Sequence, residues 1–256
     1  MASHNSAQGD FVDEALKIVS AATQQGIVLR LMGALVVRLH CQKFLDLHDQ
    51  MKRELTDLDF VTYRNQGDKL KLFFTELGYT PDEHILTYFG DKRQKYYNVT
   101  NGRGVDIFLD KLEMCHTIPF NGRLELDSPT ITLADFILEK MQIVQLNEKD
   151  VKDTIVIFRE HEVGESDKET VNASYIAKIL SDDWGFYYTV TSNLSKTKNT
   201  LPSVSILDDE TRVDVSSKID NVVKYIEKEP KTLGWKMRAR VGPKKKWYRD
   251  VEELVR

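Results

Sequence analysis

Arg53-Glu54-Leu55-Thr56-Asp57-Leu58-Asp59-Phe60-Val61 sets two carboxylates two residues apart at the mouth of an apolar run. The alternation around Leu58, Phe60 and Val61 predicts a strand over Leu55 to Tyr63, and residues two apart on a strand point to one face. Asp57 and Asp59 are therefore expected side by side. Their charges repel unless a cation lies between the oxygens, and hard divalent ions such as Mg²⁺ take carboxylate ligands readily. A solvated strand end would also tolerate Asp-x-Asp. The setting argues for a site: Leu58 and Phe60 flank Asp59, so an ionised side chain interrupts an apolar sequence and needs a partner.

Upstream, Ile27 to Met32 is a short β-branched, apolar run closed by Gly33, after which Ala34 to Cys41 can turn helical. Before it, Phe11, Ala15, Ile18, Val19 and Ala22 recur at helical spacing behind Asp10, read as an N-cap, with Gly26 past the end. Downstream, Asp68 to Leu77 reads as a helix stopped by Gly78. Tyr96 to Val99, the turn Asn101-Gly102-Arg103-Gly104 and Val105 to Leu109 predict a hairpin, and Asn121-Gly122 suggests a further strand pair. Asp106, between Val105 and Ile107, interrupts its strand as Asp59 does. Three carboxylates on neighbouring strands suit phosphoryl or nucleotidyl transfer, in which two metals about 3.5–4 Å apart clamp the attacking and leaving oxygens. Asp57 and Asp59 would hold the ions bound to a triphosphate; Asp106 would hold the ion that acidifies an acceptor hydroxyl and take its proton.

Beyond Pro129 the pattern turns helical. Thr132 to Asp135 resembles a capping box and opens a helix carrying Phe136, Ile137, Lys140, Ile143 and Val144. Asn147, Asn172 and Asp208 are read as caps of stretches reaching Phe158, Leu180 and Glu229, the last stopped by Pro230. Glu160 to Thr170 is charged and poor in apolar residues, which predicts an exposed loop.

The net charge of -4 gives the chain no general attraction for nucleic acid or an anionic surface. Locally the sign reverses: Lys236, Arg238, Arg240, Lys244, Lys245, Lys246 and Arg249 run without an acid among them, interleaved with Trp247 and Tyr248. Cations track phosphates and rings stack on unpaired bases, which points to RNA; an edge strand whose lysines discourage pairing is the structural alternative. Arg38 and His40, on the helix predicted after Gly33, are open to either kind of role. Cys41 and Cys115 stand far apart among apolar residues and are expected to be buried thiols rather than a disulfide or zinc cluster. No apolar run approaches the roughly 18–20 residues that span a bilayer, so a cytoplasmic protein without a membrane partner is expected.

Met32-Gly33-Ala34, then Arg53 to Asp59, then Val105-Asp106-Ile107 resemble, in order and strand context, three motifs of the nucleotidyltransferase superfamily. Lys140 followed by Lys149-Asp150-Val151-Lys152-Asp153 is similar to later motifs of its AbiEii-like, abortive-infection toxin branch, and the likeness spans Ile27 to about Phe158. It implies an α+β fold: a nucleotidyltransferase-like mixed sheet with flanking helices over residues 1–128, followed by a mainly helical part over 129–256. It implies that Gly33 and Ala34 bind nucleotide phosphates at a helix start, where exposed N–H groups favour anions. Arg53 and Thr56 become nucleotide contacts, with Arg53 able to pair with an acid instead. Lys140 would contact triphosphate, and Asp150 or Asp153 would orient the site and count with Asp57, Asp59 and Asp106 as catalytic.

The implied cofactor is Mg²⁺ or Mn²⁺ and the implied substrate a nucleoside triphosphate. By resemblance the acceptor is tRNA and the partner an antitoxin protein. The chain departs from the usual pair of small residues by having Ala34, and its interval from Gly33 to Asp57 is long. Two other readings remain open: transfer to a small hydroxylated molecule of the aminoglycoside type, and an inert nucleotide- or RNA-binding protein on the same fold.

Overall fold

The computed structural model describes residues 2–251, and the fold is α+β. The chain forms two compact units, one of residues up to Leu39 with Glu54–Leu112 and Pro119–Thr132, the other of His40–Arg53, Glu113–Ile118 and the residues from Leu133 on.

The first unit is a five-stranded mixed sheet in the order β1-β2-β5-β4-β3. Its strands are β1 (Leu29–Leu31), β2 (Leu58–Thr62), β3 (Tyr79–Pro81), β4 (Arg93–Asn98) and β5 (Gly104–Leu109). β2 and β5 run parallel at the centre and the remaining pairs are antiparallel. The β4–β5 hairpin forms as expected from its Asn-Gly turn: Gly102 takes a φ of 70, and Asn98 Oδ1 accepts from the N–H groups of Thr100 and Asn101. Helices α1 (Ala2–Gln24), α4 (Gly67–Glu76) and α5 (Glu83–Phe89) belong to this unit. Ala15, Ile18, Val19 and Ala22 of α1 join Leu29, Leu31, Phe60, Phe74, Tyr96 and Ile107 in one buried core. Each large side chain so buried contributes about 1.5–3 kcal/mol.

Two details before Thr132 differ from the sequence reading. Asp10 is not a cap, because α1 begins eight residues earlier, at Ala2, and runs on through Gly9. Asn121-Gly122 does not join two strands either. It lies in the turn that follows β6 (Lys111–Glu113) and β7 (Thr117–Pro119), which form a two-stranded ribbon.

The second unit is mainly helical: α3 (Leu45–Gln50), α6 (Leu133–Met141), α7 (Glu148–Glu160), α8 (Ala173–Leu180), α9 (Trp184–Thr200), α10 (Asp209–Lys228) and α11 (Leu233–Val241). Asn147, Asn172 and Asp208 are the caps the sequence predicts, each accepting from the N–H three residues on. The charged stretch 160–170 is not simply a loop. β8 (Glu162–Gly164) and β9 (Thr170–Asn172) pair in parallel there, with Val163 opposite Val171. The basic segment is no edge strand: α11 and a single 3₁₀ turn (Gly242–Lys244) carry its first part, and residues 245–250 follow without regular structure. Both cysteines are buried free thiols, and burial pushes the Cys41 thiol up. No helix among the described residues is long and apolar enough to cross a membrane.

Candidate functional site

Asp59 stands directly opposite Asp106 in the parallel register of β2 and β5. Paired residues of adjacent strands project to one face, so the two carboxylates share a side of the sheet. Asp57, immediately before β2, joins them: a Cβ added to Gly104, two residues before Asp106 on β5, would meet Asp57 Oδ1 at 3.7 Å. Thr56 Oγ1 donates to Asp57 Oδ2 at 3.1 Å. Gly33 completes the cluster. A Cβ there would sit 3.1 Å from Asp59 Oδ2, and its φ of 67 is one that L side chains avoid. The Met32 N–H donates to the Asp59 carbonyl at 2.8 Å, fixing the chain reversal between β1 and α2 (Ala34–His40) against the acid strand. The structure thus brings Gly33, Thr56, Asp57, Asp59 and Asp106 together in one unit, with Ala34 next in line.

Sequence reasoning missed the cations beside them. Lys95 of β4 is paired with Asp106, and Arg93 and Tyr97 lie two residues to either side on the same face. Arg93 grips Asp106 in a two-point ion pair, with Nε 2.6 Å from Oδ1. The Asp106 carboxylate, helped by Asp59, raises the Arg93 pKa despite its partial burial. The signal was the alternation Arg93-x-Lys95-x-Tyr97, three donors at strand period.

A second group assembles in the helical unit. Lys140 on α6 places Nζ 3.2 Å from Asp150 Oδ1 and 3.0 Å from Asp153 Oδ2, the two acids one turn apart on α7. Arg53 Nε and Nη2 reach Asp153 at 2.9 and 3.1 Å, and His48 Nε2 lies 2.8 Å from the same carboxylate. Lys140, Asp153, Arg53 and His48 are all buried. Burial alone would lower the Lys140 pKa, but Asp153 and then Asp150 outweigh it and hold the ammonium charged. Burial likewise pushes Asp153 up; Lys140, His48 and Arg53 together hold it well below the usual carboxylate range. His48, on a short helix without apolar periodicity, had no mark in the sequence.

The basic segment is partly engaged within its own unit. Trp247 Nε1 donates to Thr189 Oγ1 and Arg249 Nη2 to Thr117 Oγ1. Arg238 donates to the carbonyls of Gly242 and Lys245 and lies over Trp184, and Lys246 pairs with Asp250. Lys236, Arg240, Lys244 and Lys245 are exposed.

No family model, no curated protein and no solved structure matches the chain.

Proposed function

We propose that the chain is a metal-dependent nucleotidyltransferase of the AbiEii-like kind its motifs resemble, moving a nucleoside monophosphate from a nucleoside triphosphate to an acceptor hydroxyl. The observation that carries the reading is the register of Asp59 against Asp106 with Gly33 closed onto Asp59. The donor set is oxygen-only and carboxylate-rich, as Mg²⁺ or Mn²⁺ prefers, and Arg93 supplies positive charge beside Asp106. Asp57, Asp59 and Asp106 would hold the metal, which neutralises the triphosphate and favours the alkoxide form of the acceptor. The acceptor oxygen bonds to the α-phosphorus, the bond to the bridging oxygen breaks, and pyrophosphate leaves. Asp106 takes the hydroxyl proton. Gly33 and Ala34 offer backbone N–H groups to the phosphates, and Lys95 lies on the face where charge collects.

The acceptor in this reading is RNA, because Lys236, Arg240, Lys244 and Lys245 are exposed cations that can track a phosphate backbone. The test is calorimetric titration of Mg²⁺ with each nucleoside triphosphate into wild type and Asp57→Ala/Asp59→Ala, followed by radiolabel transfer into tRNA or an aminoglycoside. Metal-dependent binding lost in the variant is expected. Binding indifferent to metal and to the substitutions would sink the transferase and favour the inert binding protein, a reading to which the Arg93–Asp106 ion pair lends support because the protein already balances that charge itself.

A further inference from the structure

The segment read from sequence as an exposed charged loop brings three ligand-type side chains together. His161 ends α7, Glu169 immediately precedes β9, and His40 is the last residue of α2. His40 Nδ1 lies 3.3 Å from the Glu169 carboxylate and His161 Nδ1 3.8 Å from it, and one donor atom from each of the three falls within 4.8 Å of the others. Donors around a tetrahedral ion with bonds of about 2.0–2.2 Å stand roughly 3.3–3.6 Å apart, so the widest spacing needs to close by about 1.5 Å at most.

From this geometry we propose that His40, His161 and Glu169 bind a divalent transition-metal ion of the zinc class.

Two imidazoles with one carboxylate suit zinc far better than the hard ions expected at an all-carboxylate site. Glu169 is a non-glycine residue with a φ of 48, a conformation that costs energy and here turns both its carbonyl and its carboxylate toward His161. His161 Nε2 is buried without a hydrogen-bond partner, while Nδ1 faces oxygens of Glu169. A neutral ring carries one proton and one lone pair, and the protein alone satisfies only one of the two. Both rings are screened, with side chains 7% and 6% exposed, whereas Glu169 at 61% leaves an entry path from solvent. The ion would brace the C-terminal end of α7, the helix that carries Asp150 and Asp153.

The proposal is tested by titrating ZnCl₂ alone into the EDTA-treated chain, alongside His40→Gln, Glu169→Gln and Asp57→Asn/Asp59→Asn, with calorimetry and melting temperature as readouts. Wild type and the double Asp variant should share one tight zinc site that raises the melting temperature. His40→Gln and Glu169→Gln should bind at least about 100-fold more weakly, since even outer-shell changes cost 10–100-fold. Cobalt substituted for zinc should show visible ligand-field bands in wild type that are lost in these two variants. Glu169 is exposed, so its variant folds and reports on the ligand alone. Zinc affinity and cobalt spectrum unchanged in both ligand variants would overturn the proposal, as would loss of the site in the double Asp variant instead; either result leaves a hydrogen-bonded His–Glu–His group with no metal role.

Discussion

The sheet unit and the helical unit each gather carboxylates and cations, yet the two groups are built for different work. In the helical unit Asp153 is buried and meets Lys140, Arg53 and His48 within 3.1 Å, so its charge is spent on neighbours. On the sheet, Asp57 and Asp59 are only half-buried, and alternate residues of three segments line up on one face rather than closing into a knot. The same residue types give a brace in one place and a receptive surface in the other. Burial and the number of opposing charges separate them, which no motif spelling records.

The comparison breaks most readily at Asp153. Asp153→Ala removes the buried carboxylate that Lys140, Arg53 and His48 share, and should cost about 3–5 kcal/mol, read as a fall in the urea midpoint. Adding Lys140→Met should restore part of the loss, because the two residues share one interaction. If Asp153→Ala leaves stability intact and removes only nucleotide binding, the knot is a catalytic group after all.

The pH profile sharpens the same contrast. Burial against Phe186 pushes His116 down to about 4, and the depressed pKa of Asp153 has its own cause in the cations around it. For a group whose folded pKa lies below its unfolded value, the stabilisation is present above the unfolded pKa and lost as pH falls through the folded one. Stability should therefore decline first from about pH 6.5 toward 4 through His116, then more steeply below about pH 3.9 through Asp153. His116→Phe should make the upper limb shallower without removing it, since burial pushes His161 down as well, and should leave the lower limb in place. A single transition confined to the region below pH 4 in wild type would contradict this assignment.

Gly33→Ala tests the sheet surface with a smaller effect. A side chain at a φ of 67 costs about 1–2 kcal/mol, and the added Cβ would press on Asp59 Oδ2 at 3.1 Å. The melting temperature should fall modestly, while metal-dependent nucleotide binding falls more than that loss of stability explains. Equal losses would reduce Gly33 to a turn residue.

What could be read in advance follows from where the pattern is clean. The strand around Asp59, the Asn-Gly hairpin and the caps at Asn147, Asn172 and Asp208 are local chemistry, and local chemistry is legible. α9 was missed because Thr189, Asn193 and Thr197 are buried beside Phe186, Val190 and Leu194, so polar residues blur the apolar stripe of its inner face. β8 and β9 hid in a charged stretch because a short ladder needs few apolar residues. The Arg93 and Lys95 alternation was overlooked because Gln94, between them, is polar yet buried, and three polar residues in a row show no alternation of apolar and polar. The pairing of Asp153 with Arg53 joins residues 100 positions apart, a distance at which spacing carries no signal.

Arg93 offers the finest test of the contrast between brace and surface. It is a third exposed although Asp106 is buried, so water and Lys95, opposite Asp106, take up part of the charge it leaves, and Arg93→Met should lower stability by about 1 kcal/mol. Its effect on cation binding should be opposite in sign to that of removing an acid. Arg93 now supplies the positive charge next to Asp106 and Asp59; without it the carboxylates regain their need for a counter-charge, and Mg²⁺ affinity should rise several-fold. The measurement is Mg²⁺ titration of wild type and Arg93→Met without nucleotide, then with it. If Arg93 also steadies the triphosphate, metal binding strengthens in the first titration while nucleotide binding weakens in the second. Unchanged metal affinity in the first would mean that the acids on this face are a structural ion pair, the counterpart on the sheet of the knot in the helices.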